Sequence, residues 1–254
     1  MRSRKSNTLL AALVCMALTM MACGTTDPAD NDPNVLAGET ELEITEPGQR
    51  WGGSGSSGSW YSGESLRDSV YVKSRSGGIV TFDFNLTFDT TFTKSLDTML
   101  GTSFLPDATK KSILTTYLER YGATLDTTDK SRMTIHAEPR FKVTSEGIQD
   151  FLTSGDNLSR PFTIVKYSMK VGDSWTFTRD DGVVVTRKVI HHSSVEDYDV
   201  GFWSLKVFKT EQTQQDPLVP RIIWVTNHKF GLVGVHFFTA DNREIRVTVW
   251  PPTL

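Results

Sequence analysis

Along residues 80–89, apolar Val80, Phe82, Phe84, Leu86 and Phe88 alternate with polar Thr81, Asp83, Asn85, Thr87 and Asp89. A period of two over that length predicts a strand with one face in a core and one in water, as in an antiparallel sheet. Ser69 to Lys73 reads as a shorter strand leading into it through a turn at Gly77-Gly78. The period then changes. From Asp107 to Tyr121, the residues Ile113, Leu114, Tyr117, Leu118 and Tyr121 share one stripe while Lys110, Lys111, Thr115 and Glu119 face away. That spacing predicts a helix, capped by Asp107, lying across a sheet. Met133 to His136 and Phe141 to Thr144 read as short strands, and Glu146 to Leu152 as a second, shorter helix ended by Ser154-Gly155.

From Pro161 onward strand follows strand: Phe162 to Tyr167, Trp175 to Arg179, Val183 to His191, Val200 to Lys209, Ile222 to Thr226, Leu232 to Phe238 and Glu244 to Trp250 are rich in β-branched and aromatic residues. Asp181-Gly182 reads as a two-residue hairpin turn, which sets Trp175 opposite Lys188, and Asp241-Asn242 joins the last pair. The expected fold is α+β and mainly antiparallel: a curved sheet or half-barrel of roughly ten strands with one long helix packed on it. In element order this resembles the half-barrel of lipoprotein carriers.

The start of the chain adds a location. Arg2, Arg4 and Lys5 precede an uncharged apolar run, Leu9 to Met21, shorter than the about 20 residues that span a bilayer. It reads as a signal peptide. The run ends in Met20-Met21-Ala22-Cys23, which resembles the lipobox of bacterial lipoproteins. That resemblance implies that residues 1–22 are removed and that Cys23 is the lipidation site, with each buried methylene of its acyl chains worth about 0.8 kcal/mol. Gly24, where enterobacterial lipoproteins kept from the outer membrane carry aspartate, implies an outer membrane lipoprotein of the cell envelope. The acidic residues that follow are similar to the surface-export signal of Bacteroidota lipoproteins, so the expectation covers both the periplasmic face and the cell surface. Cys15 leaves with the signal, and Cys23 alone cannot form an intrachain disulfide. Processing removes three basic residues and no acidic one, leaving a chain more acidic than the −3 of the full sequence. That balance argues against nucleic acid and against an electrostatic grip on anionic lipid, so membrane contact is expected through the lipid anchor.

Residues 23–65 are read as a disordered, lipidated tether. Acidic Asp27, Asp30, Asp32, Glu39, Glu41, Glu43 and Glu46 precede the first base, Arg50, and Pro28, Pro33 and Pro47 punctuate the run. Such a composition buries too little apolar surface to offset its ordering entropy. Gly53-Ser54-Gly55-Ser56-Ser57-Gly58 matches G-x-G-x-x-G, but no helical pattern follows to hold a pyrophosphate, so it reads as flexible linker. One globular domain, residues 66–254, is expected beyond it. Within that domain Val171-Gly172-Asp173-Ser174-Trp175, then Trp224 and Gly231-Leu232-Val233, resembles a pattern of β-rich bacterial envelope lipoproteins. Gly172 and Asp173 would turn the chain into a strand whose Trp175 fills the core.

Catalytic chemistry is not legible. No G-x-S-x-G, H-E-x-x-H, P-loop or EF-hand loop occurs. Neighbours on a strand point to opposite faces, so His191 and His192 do not converge on one ion, although Glu196, Asp197 and Asp199 follow. His136 and Glu138 share a face without an evident third ligand, and His228 and His236 fall out of register across a hairpin. The expectation is therefore no enzyme, no metal and no cofactor. The leading functional expectation is a lipid-anchored envelope protein that holds a lipid or other apolar ligand in a groove lined by Phe82, Phe84, Phe88, Trp203 and Phe237. The alternative is a surface-displayed binding or structural module acting through protein or glycan contacts, with Trp51, Trp60 and Tyr61 exposed beside the linker.

Overall fold

The computed structural model describes residues 32–57, 60–61, 70–89, 105–129, 132–201, 203–250 and 252. Contacts divide the chain after Val35, and the strands all belong to Leu36–Leu254. Cys23 and the expected signal peptide lie outside the described residues.

In chain order the first strands are β1 (Gly52–Ser57), β2 (Trp60–Tyr61), β3 (Val70–Ser76), β4 (Ile79–Asp89), β5 (Ala123–Asp126), β6 (Arg132–Ala137), β7 (Arg140–Thr144), β8 (Gly147–Asp150) and β9 (Phe162–Lys166). Then come β10 (Ser174–Thr178), β11 (Val184–His192), β12 (Tyr198–Asp199), β13 (Ser204–Leu205), β14 (Phe208–Gln214), β15 (Arg221–Asn227), β16 (Gly231–Phe238) and β17 (Glu244–Trp250). The helix α1 spans Asp107–Glu119. Among the described residues one sheet has eight strands, ordered β10-β11-β14-β15-β16-β17-β1-β2. A second has seven, β5-β6-β4-β7-β8-β9 with β3 on β4, and β12 pairs with β13 apart from both.

The pairings are antiparallel, so the α+β, mainly antiparallel class with one helix is the fold, and no barrel closes among the described residues. The strands are shared between two facing sheets. Val80, Phe82, Phe141 and Ile164 of one sheet and Phe208, Ile222, Trp224 and Val235 of the other belong to a single core. The alternation along β4 lies as the period requires, with Val80 and Phe82 buried and Asn85 and Thr87 exposed. Trp175 is buried, as its apolar bulk predicts, and its indole N–H donates to the Thr163 carbonyl at 2.8 Å, joining the edges of the two sheets. Gly172, at φ +104°, and Asp173, whose carboxylate accepts from Lys170 N–H at 2.8 Å, form the turn before it.

Several expectations are corrected. The tether does not extend to residue 65. Leu36, Ile44 and Trp51 are buried, and Gly52 to Ser56 pair with β17 while Ser56 and Ser57 pair with β2. The supposed linker is strand β1 because two neighbouring strands satisfy its backbone, which needs no side-chain pattern. Trp51, expected to be exposed, is 4% accessible and meets Phe82 edge to face at 5.7 Å. Glu146 to Leu152 holds no helix: all four residues of β8 are buried, so the strand lacks the polar alternation that would have marked it. The Asp181-Gly182 connection is longer than two residues, with Arg179 N–H bonded to Val183 O, so Trp175 faces Arg187 and Ser174 faces Lys188.

The two sheets are tied by a buried ion pair. Arg187 of β11 reaches Asp150 of β8 at 2.6 Å, both side chains almost wholly inaccessible. The guanidinium also donates to Gln212 Oε1 at 2.9 and 2.7 Å and to the Phe162 carbonyl at 2.9 Å, and stacks over the Phe162 ring at 4.1 Å. Asp150 in turn accepts from the Thr153 N–H and hydroxyl at 2.8 and 2.9 Å. Helix α1 is more loosely held. Pro106 occupies its N-cap, so Asp107 does not cap it and acts on the first-turn dipole instead. None of its residues is fully buried. Tyr117 packs on the intersheet core, and Arg120 pairs with the buried carboxylate of Asp216 at 3.2 Å.

Close approach of β8 to β9 depends on one missing side chain. A Cβ on Gly147 would stand 2.1 Å from the Val165 carbonyl oxygen. Gly147→Ala is expected to cost about 1–3 kcal/mol through forced separation of the two strands. Urea unfolding checks this; a midpoint equal to that of the parent chain would contradict it.

Candidate functional site

Core-facing side chains are closed off at one end of the sheet pair and half-open at the other. Val72 and Val80 are 1% and 0% accessible. Farther along the same face of β4, Phe84 and Leu86 are only half-buried, as are their cross-strand neighbours Ile135 and Leu125. On the facing sheet, Phe237, Ile245, Val247 and Val249 share the core side with Ile222, Val235 and Trp224, and they too are half-buried. Opposite Val249 and Val247, β1 presents Gly53 and Gly55, which carry no side chain to fill that side. Tyr117 of α1, like Phe84, Leu86, Leu218 and Phe237, is partly buried and packs against the intersheet core. Burial pushes its phenol far above the usual tyrosine range. Both walls are apolar and incompletely covered.

The five groove residues expected from sequence do not form one wall. Phe84 and Phe237 stand in this half-open end. Phe82 is buried behind them, packed on Trp51, Phe84 and Phe141 at 5.7, 6.2 and 5.8 Å, so it belongs to closed core. Trp203 is 44% exposed in the β12–β13 hairpin, among residues of a different cluster. An aromatic residue in a turn cannot join a groove between sheets merely by being aromatic. The side chains of Phe88, Trp60 and Tyr61, and Phe202, lie outside what is described.

The histidines are engaged in polar networks. His191 Nε2 lies 3.0 Å from Asp197 Oδ2 and 3.2 Å from Ser193 Oγ, and Ser193 Oγ donates to Asp197 Oδ1 at 2.5 Å. These residue types match a hydrolytic triad, but the geometry does not. Nucleophile and carboxylate must lie on opposite ring nitrogens, whereas here both face Nε2. Ser193 Oγ also accepts the Val207 N–H at 3.0 Å, which fixes it as a brace. The Ser193 hydroxyl, then His191, hold the Asp197 carboxyl below the usual range. His192 instead stacks on Phe208 at 3.9 Å. Asp199 Oδ1 accepts the Gly201 N–H at 2.7 Å. Among the described residues no three side chains of metal-ligating type converge.

On the outward face of β3, β4 and β6, the Tyr71 hydroxyl and the Asn85 amide both donate to Asp83, at 3.0 and 2.5 Å. The bond to Asp83 pushes the Tyr71 phenol up. Asn85 Oδ1 meets His136 Nδ1 at 2.9 Å, and Glu138, 3.9 Å from His136 Nε2, accepts from Lys73 at 2.6 Å. The lysine supplies the positive charge there. Sequence reading missed a further network, in which His236 Nδ1 lies 2.7 Å from Glu244 and Nε2 3.1 Å from the Tyr198 hydroxyl. His236 in an otherwise apolar strand was its one visible signal.

Compared with known proteins, the chain matches no family model, no curated protein and no solved structure. Among the described residues no helix is long and apolar enough to cross a membrane.

Proposed function

We propose that the chain is a lipid-anchored cell-envelope protein that binds an apolar ligand, such as a lipid acyl chain, in the half-open end of its two-sheet core. The observation that carries this reading is the paired incomplete burial of inward-facing Phe84 and Leu86 on one sheet and Phe237, Ile245 and Val247 on the other. Inward apolar side chains left partly wet cost about 25 cal/mol per Å² that an apolar occupant recovers. Helix α1, fixed through Tyr117 and the Arg120–Asp216 pair, is the cover. The anchor at Cys23, from the lipobox resemblance, and placement at the outer membrane, from Gly24 after it, complete the reading. The ligand would be taken from the membrane to which the protein is tied.

Native mass spectrometry of residues 36–254, expressed into a periplasm and purified without detergent, tests it. A discrete extra mass that organic solvent removes is expected. Val247→Trp, which fills the open end, is expected to lose that mass while keeping its thermal melt. A clean apo mass after incubation with an envelope lipid extract would refute the reading.

A further inference from the structure

The hairpin of β12 and β13 sits on the outward face of the eight-stranded sheet, over a small core of its own formed with Val200, Val207, Val225 and Val233. Two of the five histidines bond to it, His191 to Asp197 at its stem and His236 to Tyr198. Its far half is pinned by Tyr198, whose hydroxyl occupies the gap above Gly234, where a Cβ would come within 2.2 Å of it. With Nδ1–H of His236 donating to Glu244, the Nε2 lone pair accepts the Tyr198 hydroxyl. Arg246 and Lys209 lie over the same tyrosine ring at 4.9 and 5.6 Å, and Arg246 also donates to the Asp199 carbonyl at 3.0 Å.

We propose that this hairpin is an acid-released flap: protonation of His236 frees residues 198–201 and 203–205 from the sheet while the stem at residues 193–197 stays closed. The groups facing His236 are Glu244 and Arg246 of β17, Lys209 of β14 and Tyr198 of the hairpin. A second ring proton turns Nε2 from acceptor to donor, so the Tyr198 hydroxyl loses its acceptor. It also sets a third positive charge beside Lys209 and Arg246, against the single contacting carboxylate of Glu244. Burial, the larger effect, already holds the His236 imidazole below the ordinary histidine range despite the pull of Glu244. The closed flap therefore binds fewer protons than the open one. Its closure is fully stabilised above about pH 6.5 and weakens as pH falls below that value. At the stem, the Ser193 hydroxyl donates to Asp197 at 2.5 Å and accepts the Val207 N–H at 3.0 Å, which keeps residues 193–197 in place as the hinge.

Hydrogen–deuterium exchange of the full-length chain at about pH 7.5 and about pH 5.5, corrected for intrinsic exchange rates, tests the flap. Protection of residues 198–201 and 203–205 is expected to fall severalfold, up to about tenfold, at the lower pH relative to β8 and β9. His236→Gln, which cannot take up the proton, should remove that pH response. Tyr198→Phe, which keeps the ring above Gly234 but not the hydroxyl, should exchange fast at both pH values. Equal protection of the parent chain at both values, a His236→Gln variant with the parent's response, or a Tyr198→Phe variant with the parent's protection would each overturn the proposal.

Discussion

A chain cut to residues 66–254, the boundary that composition suggests, is expected to fail to fold, whereas residues 36–254 give a soluble, cooperatively melting protein. The cut removes Leu36, Ile44 and Trp51, all buried, the last in edge-to-face contact with Phe82. Their burial is worth on the order of 5 kcal/mol together. Loss of β1 also strips the ladder from β17 along Gly52 to Ser56 and bares a strand that alternates Ile245, Val247 and Val249. The segment before β1 does further work on the other sheet, where Trp51 N–H bonds to Val70 O and Val72 N–H to Gln49 O. Residues 49–57 thus pass from one sheet to the other and seal their shared side. Against a typical margin of about 5–15 kcal/mol, removal of both core and ladder leaves little, and the exposed edge invites aggregation. Size-exclusion chromatography and thermal melts of the two chains decide it. A monomeric 66–254 chain melting within a few degrees of the longer one would show the segment to be dispensable.

Arg187→Met is expected to be the most damaging single substitution in the folded unit, costing about 3–5 kcal/mol and lowering Tm by about 10 °C. The methionine fills much of the volume, so the penalty is electrostatic: Asp150 would be left as a buried carboxylate without its counter-charge. Gln212 loses one partner but keeps the Trp224 indole N–H at 3.0 Å, and the Phe162 carbonyl loses its guanidinium donor. Adding Asp150→Asn removes the stranded charge while retaining an acceptor for Thr153. The double variant should therefore recover more than about 1 kcal/mol of the single variant's loss, a coupling that a double-mutant cycle in urea reads directly. An Arg187→Met chain within about 1 kcal/mol of the parent would mean that the pair contributes little to holding the sheets together.

Much of the candidate site was half-legible. Phe84 and Phe237 could be named from their strands because a period-two pattern tells which residues share a face. It does not tell how completely that face is covered. Phe82, two residues from Phe84, is closed core only because Trp51, from a stretch read as linker, lies against it. Trp203 was drawn into the same list by residue type alone, and its hairpin turned out to build a separate small core. The polar networks were hidden more deeply. Arg187 sits in an ordinary-looking strand, and its partner Asp150 lies in a segment that reads as helix. Tyr198, His236 and Glu244 meet only because β12 folds back over β16 and β17.

By itself the sequence determined the class of the fold: alternation along β4 and β-branched runs from Phe162 onward dictate antiparallel strands, and one stripe of period 3.6 dictates the helix that begins at Asp107. These signals are local, arising from how backbone geometry presents successive side chains, and so survive in the one-dimensional record. Only the tertiary structure decided that the strands form two facing sheets. It also made Gly52–Ser57 a strand paired on both sides and put the charge of Arg187 between the layers. Those outcomes depend on partners far along the chain, such as Trp250 for Gly52. Glycine and serine carry no periodicity of their own, so what orders them is the hydrogen bonding offered by strands formed at the other end of the chain.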